Sequence, residues 1–427
     1  MAQMIVQTIE YSGMDKTKIP VILREMPFAL GDTIVQAQLD EFENRLRGLG
    51  LFTKVKIKLD SSVLHINALE KWYIWAVPTA QFADANFSQW FLTKDIKRLA
   101  LGANIYLKNL GGLDNQLMIS GKVGFNSSLA IKYEKVPQGT HWNIGYFVEA
   151  KTGFNSQQKM GILGDDLQWD NRNNPHFFYE TIDAGLLWRK GLYHYIGINA
   201  GAGRMRSKEP NSRFSPLGAD SLRFKYTFGA EYIYDSRVQR HFPLAGFYAK
   251  VNTDWTQIKG KTDEFITPVL KVKLNKFYAL NKSWLLRAGY VGAFQKKGLP
   301  FYFTQALGTD REYVRGFEQN AFAGSGYNLG RVSMAYALKN GGELKLAKRK
   351  YLGNYAVMPF SVWCSIFAEK AVMINPILDR LSMSGEKLYS LGLSLEILTF
   401  YNSMFRADLA INGNQSLSGN MSFRNAF

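Results

Sequence analysis

The sequence predicts an all-β transmembrane barrel of about 16 antiparallel strands, preceded by one small α+β domain. Three observations predict it. Most of the chain after residue 98 alternates apolar and polar residues with period two, strand after strand. Aromatics reach 14%, with 29 Phe and 22 Tyr beside 38 Gly, the composition of aromatic girdles and tight turns. The first seventy residues follow a different rhythm, with two helical stretches among short strands.

The N-terminal unit, residues 1–70, reads β-α-α-β-β. Ile5 to Tyr11 alternates and ends at the turn Ser12-Gly13. Asp15 or Thr17 is the expected cap of a helix through Val21, Ile22 and Met26, which Gly31-Asp32-Thr33 breaks. Leu39, Phe42, Leu46 and Leu49 recur at spacings of three and four, one apolar helix face closed by Gly50. Phe52–Leu59 and Val63–Glu70 alternate as two further strands.

Residues 71–97 read as a connector. Trp72, Tyr73, Trp75, Phe82, Phe87, Trp90 and Phe91 suit either a membrane interface or a packed linker. The barrel, residues 98–427, opens with Leu99, Leu101, Ala103, Ile105 and Leu107 on one face and Gly102, Asn104 and Lys108 on the other. Strands are expected near 116–125, 128–135, 141–152, 157–169, 176–189, 193–206, 222–237, 244–258, 264–279, 282–294, 327–340 and 360–374. Three more follow. Tyr389 to Ile397 and Phe405 to Asn412 alternate cleanly, and the last puts Leu417, Gly419, Met421, Phe423 and Phe427 on one face. A soluble sandwich also alternates, but it has no need of Leu and Phe rows facing outward on every strand.

Composition narrows the function classes. No run approaches the ~20 apolar residues of a membrane helix, and mean hydropathy is −0.17. The net charge is +17, with Lys and Arg scattered rather than clustered. Scatter points to solvated loops and a basic lumen, then to anionic lipid, and not to nucleic acid. The single cysteine, Cys364, is expected on a strand. No signal peptide precedes Met1-Ala2-Gln3-Met4, so an exported protein would be a mature or trimmed form. His65, His141, His176, His194 and His241 show no metal-ligand spacing, and Asp165-Asp166 reads as a turn. There is no nucleophile elbow or Walker loop. The chain is not expected to be an enzyme or to carry a cofactor or metal.

A loop around 296–326 carries Gly308-Thr309-Asp310, then Val314-Arg315-Gly316-Phe317, then Ala323-Gly324-Ser325-Gly326. With a terminal Phe427 about a hundred residues on, this resembles the lumen-plugging loop of the BamA/TamA-like outer-membrane protein assembly superfamily. The first seventy residues resemble that superfamily's POTRA domain. The final strand resembles the signal that ends bacterial outer-membrane barrels.

The resemblance implies a location in the bacterial outer membrane, with the N-terminal domain in the periplasm. It implies a non-covalent role, the insertion of client strands. An exposed POTRA sheet edge would hold unfolded outer-membrane protein clients. The seam between the first strand, 98–109 with Leu99 and Leu101, and the last, 416–427 with Met421, Phe423 and Phe427, would open to them. Periplasmic lipoproteins or chaperones and outer-membrane lipid are the other implied partners. Arg315 is expected to seek an acid in the wall. Where the family places one on the strand after the loop, this chain has Ala337-Leu338-Lys339. On the next strand, Phe367-Ala368-Glu369-Lys370-Ala371 replaces an Asp with Glu369, the expected Arg315 partner. Two other readings remain: an accessory subunit of an envelope complex, or a protein-translocating pore.

Overall fold

The computed structural model describes residues 4–82, 90, 94–139, 141–156, 159–163, 166–169, 177–207, 222–238, 242–261, 264–299, 303–308, 312–318, 320–345, 357–376, 388–398 and 403–425. Phe87, Phe91, Thr309-Asp310, Asp165, His176, His241 and Phe427 lie outside them.

The N-terminal domain contains β1 (Met4–Ile5), β2 (Thr8–Ser12), α1 (Ile19–Leu23), β3 (Thr33–Ile34), α2 (Gln36–Gly48), β4 (Phe52–Asp60) and β5 (Val63–Glu70). Its main sheet has the order β2-β5-β4, with β2 parallel and β4 antiparallel to β5. Leu39, Phe42 and Leu46 of α2 bury one face against Val55, Leu64 and Ile66, a core that includes Val21, Ile22 and Ile34. The cap of α1 differs from expectation. Lys18 occupies the N-cap with no side-chain bond, and Pro20 opens the helix. The Thr17 hydroxyl instead donates to Glu70 at 2.5 Å and meets the Tyr73 hydroxyl at 3.0 Å. A tertiary acceptor outcompeted the local cap.

The remaining strands are β6 (Ile74–Phe82), β7 (Leu99–Leu110), β8 (Asn115–Gly124), β9 (Asn126–Lys135), β10 (His141–Asn155), β11 (Lys159–Leu163), β12 (Asp166–Trp169), β13 (Phe177–Lys190), β14 (His194–Ser207), β15 (Leu222–Asp235) and β16 (Gly246–Lys259). They continue as β17 (Glu264–Ala279), β18 (Trp284–Gln295), β19 (Gln305–Leu307), β20 (Phe322–Lys345), β21 (Val357–Pro376), β22 (Tyr389–Leu398), β23 (Ser403–Asn412) and β24 (Leu417–Asn425). Seventeen of these, from β6 to β24 without β11 and β12, join one antiparallel sheet coiled as a barrel. The three-residue β19 belongs to the loop after β18, which leaves sixteen in the wall.

Alternation makes the wall. On β22 and β23, Leu391 pairs Ile411 and Leu393 pairs Leu409, all exposed on the outer face. Glu396 pairs Arg406, Ser394 pairs Asp408 and Ser390 pairs Asn412, all buried on the inner face. The period-two rule sends each row to one side.

Three corrections follow. Ile74–Phe82 is not connector but the first wall strand, paired with β7 from Ile74↔Leu107 to Phe82↔Leu99. Pro78 and the dense aromatics masked it, because proline is tolerated in a first or edge strand but reads as a breaker. The 157–169 segment is not a wall strand. Its described part is a separate hairpin of β11 and β12. The two errors cancelled in the count. Consequently the seam does not run through Leu99 and Leu101, which lie on the second strand facing Phe82 and Ala80. The strand beside β24 is β6. Met421 is exposed on the outer face of β24. Phe423 pairs Phe405, and Phe427 falls outside the described residues.

The N-terminal domain is fastened to one end of the barrel, at the turns after β7, β9 and β13. Lys18 N–H donates to Gly112 O at 2.8 Å, and the Asn109 amide donates to the Thr17 hydroxyl at 2.9 Å. Gly112 sits at φ +74, and a Cβ there would meet Lys16 O at 2.1 Å, so only glycine permits the approach. Glu25 is the hub. Arg189 from the end of β13 donates twice to its carboxylate, at 2.8 and 2.9 Å. Arg45 adds a bond at 2.8 Å and Arg24 one at 3.2 Å. Arg24 also reaches Asp114 at 2.5 Å. Burial pushes the Glu25 carboxyl upward, but the Arg189 bond and charge, with Arg45 and Arg24, outweigh it and hold it at about 2.

Candidate functional site

At the opposite end, the loop between β18 and β20 turns into the lumen. Val314 to Phe317 forms a tight turn, with Phe317 N–H donating to Val314 O at 3.0 Å. Gly316 takes φ +89, and its Cα faces the Cβ atoms of Asn412, Ala410 and Ser390. Val314 and Phe317 are buried with Leu307, Phe322, Leu329 and Leu388 as an apolar cap, and Phe317 meets Phe322 edge-on at 5.8 Å. A Gly316→Ala change combines left-handed strain with Cβ contacts of 3.2 and 3.3 Å. It is expected to cost about 1–3 kcal/mol, read as a lower unfolding temperature of the purified protein.

Arg315 projects from this turn into the wall. Its Nε donates to Glu369 Oε1 at 2.6 Å, and its own backbone N–H donates to Oε2 at 2.9 Å. Nη1 donates to the Ser394 hydroxyl at 3.0 Å and lies 3.7 Å from Asp408 Oδ1. The guanidinium lies 3.4 Å from the centre of the Phe367 ring. Glu369 also faces Arg331 Nε at 3.3 Å, and Arg331 in turn donates to Glu312 at 2.8 Å. Arg406 donates to Asp408 at 2.9 Å. Guanidiniums and carboxylates thus alternate through a buried network, the condition under which such charges are tolerated.

Neighbouring bonds extend the grip. Glu318 accepts from Gly316 N–H and from the Ser418 hydroxyl, each at 2.9 Å. The Asn412 amide donates to Gly316 O at 2.8 Å, and the Asn420 amide donates to the Tyr313 hydroxyl at 3.1 Å. The loop is therefore bonded to β21, β22, β23 and β24, one strand after another.

The structure brings Val314, Arg315, Gly316, Phe317 and Glu369 together. Leu99, Leu101 and Met421 are elsewhere in the wall. The Ala337 reading is corrected. Ala337 lies opposite Trp363, far down β20 from the motif, and the residue facing Glu369 across the strands is Arg331. Asp408, Ser394 and Arg331 went unrecognised as site residues. Period-two alternation puts Asp408 on the face opposite Leu409, but the height of a side chain depends on strand tilt and loop path, which the sequence does not display.

Toward the domain end a second ion pair links β18 to β22 along the inner face of the wall. Arg287 grips Glu396 at 2.7 and 2.9 Å and donates to Ser333 at 2.9 Å. Beneath it Phe242, from the turn between β15 and β16, packs on Trp363 with ring centres 5.4 Å apart, among Leu285, Ala335 and Met404. This apolar floor closes off part of the lumen. The buried Trp363 indole N–H finds no acceptor among the described residues. Trp363→Phe should therefore cost little, whereas Phe242→Ala should open the floor. Single-channel conductance in planar bilayers is expected to rise for Phe242→Ala and stay at the parent level for Trp363→Phe.

Comparison with known proteins gives the same architecture. No curated protein sequence matches the chain. Among solved structures, BamA from Haemophilus ducreyi lacking POTRA domains 1–3 superposes with a TM-score of 0.52 at 14% identity, over 99% of this chain and 85% of that one. CdiB from Escherichia coli gives a TM-score of 0.54 at 10% identity, over 98% of this chain and 75% of that one. At such identities the likeness is one of fold. The Omp85 superfamily domain matches residues 109–348, which include the Val314–Phe317 turn. That match spans more than half of the chain, and the chain belongs to the Omp85 superfamily.

Proposed function

We propose that this outer-membrane β-barrel protein is an assembly factor that inserts client β-strands. Its N-terminal domain, POTRA-like in element order, lies in the periplasm and holds unfolded clients at a sheet edge. The wall then opens between β24 and β6 to template them. No covalent chemistry is needed, because an unpaired strand edge is itself the reactive surface.

The observation that carries this reading is the distribution of the loop's bonds. They brace β21 to β24 from inside, ending at Ser418 and Asn420 of β24. The next junction, β24 with β6, joins two strands of nine residues each. β6 also contains Pro78, which supplies no ladder donor. A proline-bearing strand next to the braced block is where this reading places the opening. The apolar floor of Phe242 and Trp363 supports insertion at the wall over passage through an open pore.

The test locks that junction. Cysteines are paired between 77–81 of β6 and 418–422 of β24, after Cys364→Ser. An oxidised lock that stops outer-membrane protein assembly in cells, restored by reduction, is the expected result. An unchanged outer-membrane proteome, with the lock formed or with the protein depleted, would retire the insertion reading in favour of an accessory subunit.

A further inference from the structure

The three-stranded sheet has two edges, β2 and β4, and the β4 edge is already occupied. Ile57 N–H donates to the Glu43 carboxylate at 3.0 Å, and Val55 O accepts from Arg47 Nη2 at 3.1 Å. Residues two apart on a strand present their backbone groups to the same side. Val55 O and Ile57 N–H therefore form one acceptor–donor pair flanking Lys56. That is the pair an incoming strand would satisfy with a single residue. Glu43 and Arg47, one helical turn apart on α2 and salt-bridged to each other, satisfy it instead.

The solvent face of the same strand is charged. Lys54, Lys56 and Lys58 are exposed in alternation, while Val55, Ile57 and Leu59 turn toward the core. A strand added beside β4 would place its own alternate side chains next to these three ammonium groups. Acidic residues there gain cross-strand pairs, and basic ones repel.

We infer that the outer edge of β4 is the client-docking surface of this domain, guarded by the Glu43–Arg47 pair and selective for extended segments with acidic side chains at alternate positions. The inference rests on the assembly reading for the identity of the partner, but not for the chemistry of the edge. The guard leaves when a client strand arrives, because both side chains are on the domain surface and exchange their two backbone bonds for water. Lysines on an edge strand also deter chance pairing with apolar strands, so the same residues exclude and select.

The test uses the full-length protein in detergent and two peptides of one apolar scaffold, with Asp or Lys at alternate positions. Each carries a fluorophore for anisotropy and a photo-crosslinker. The Asp peptide is expected to bind and to crosslink within 52–60, the Lys peptide to bind at least tenfold more weakly. Removing the guard with Glu43→Ala and Arg47→Ala should tighten the Asp peptide about tenfold, as two competing hydrogen bonds are lost. Lys56→Glu, a change at an exposed site, should narrow or invert the preference without touching the guard. Equal binding of the two peptides, crosslinks confined to β2, or an unchanged affinity in the guardless protein would each overturn the inference. Asp-selective binding at β4 together with an unchanged outer-membrane proteome on depletion would keep the docking edge and retire the assembly role.

Discussion

Arg315→Ala is expected to destabilise the barrel by about 3–5 kcal/mol, the cost of removing one partner from a buried ion pair. The deletion strips Glu369 of its 2.6 Å partner and Ser394 of its 3.0 Å donor. It also takes the cation from the Phe367 ring face. Glu369 keeps Arg331 at 3.3 Å and Asp408 keeps Arg406 at 2.9 Å, so the network weakens without collapsing. Arg315→Lys should fall between wild type and alanine, since an ammonium keeps the charge but not the planar, multidentate grip. The readout is the temperature at which the folded band is lost in semi-native electrophoresis. A double-mutant cycle with Glu369→Gln should show coupling of about 1–3 kcal/mol. An Arg315→Ala barrel as stable as the parent would show that Arg315 plays no part in holding the loop to β21 and β22.

The second large effect is at the domain junction. Glu25→Gln leaves Arg189, Arg45 and Arg24 facing one another without their common anion, and should release the N-terminal domain from the barrel turns. The loss is expected to be about 3–5 kcal/mol. Spin labels at Asp60→Cys and Lys282→Cys, in a Cys364→Ser background, should report one narrow distance in the parent and a broad distribution in Glu25→Gln. Glu10→Gln, at an exposed site, should leave it narrow.

The junction is also expected to depend on pH. Glu25 is depressed from 4.5 to about 2, so its contribution is fully present above the ordinary value and is lost as pH falls through the depressed one. A shift of that size corresponds to about 3 kcal/mol. The distance distribution should therefore stay narrow at pH 5 and above and broaden progressively toward pH 2. Broadening on alkalinisation instead would exclude Glu25 as the fastener.

Legibility was uneven along the chain, for physical reasons. The period-two rows of β22 and β23 survive intact because lipid and lumen impose opposite solvents on successive residues. The apolar face of α2 was equally plain, with Leu39, Phe42 and Leu46 all buried. Ile74–Phe82 hid as a connector, since Pro78 speaks against a strand unless the strand is known to begin the sheet. The 157–169 stretch alternates as a wall strand does, yet its described part pairs with itself, because a hairpin satisfies the same ladder locally. Thr17 has the residue type of a cap but found Glu70 first.

In the site, the same division holds. The Val314–Phe317 turn and its partner Glu369 were expected from the resemblance of their motifs to those of a known family. Ala337 was misplaced because strand register and tilt decide which residue stands level with a loop. Arg331, Asp408 and Ser394 are ordinary inward-facing residues until the loop descends to them.

By itself, the sequence determined the alternation and the two-part division of the chain, since these are set by local periodicity, and it displayed the loop motif through its resemblance to a known family's. Only the tertiary structure decided which strand meets β24, how Glu25 ties the domain to the barrel and that Glu43 and Arg47 cover the β4 edge. Those are contacts between residues far apart in the chain, and the free energy that selects them exists only once the chain has closed upon itself.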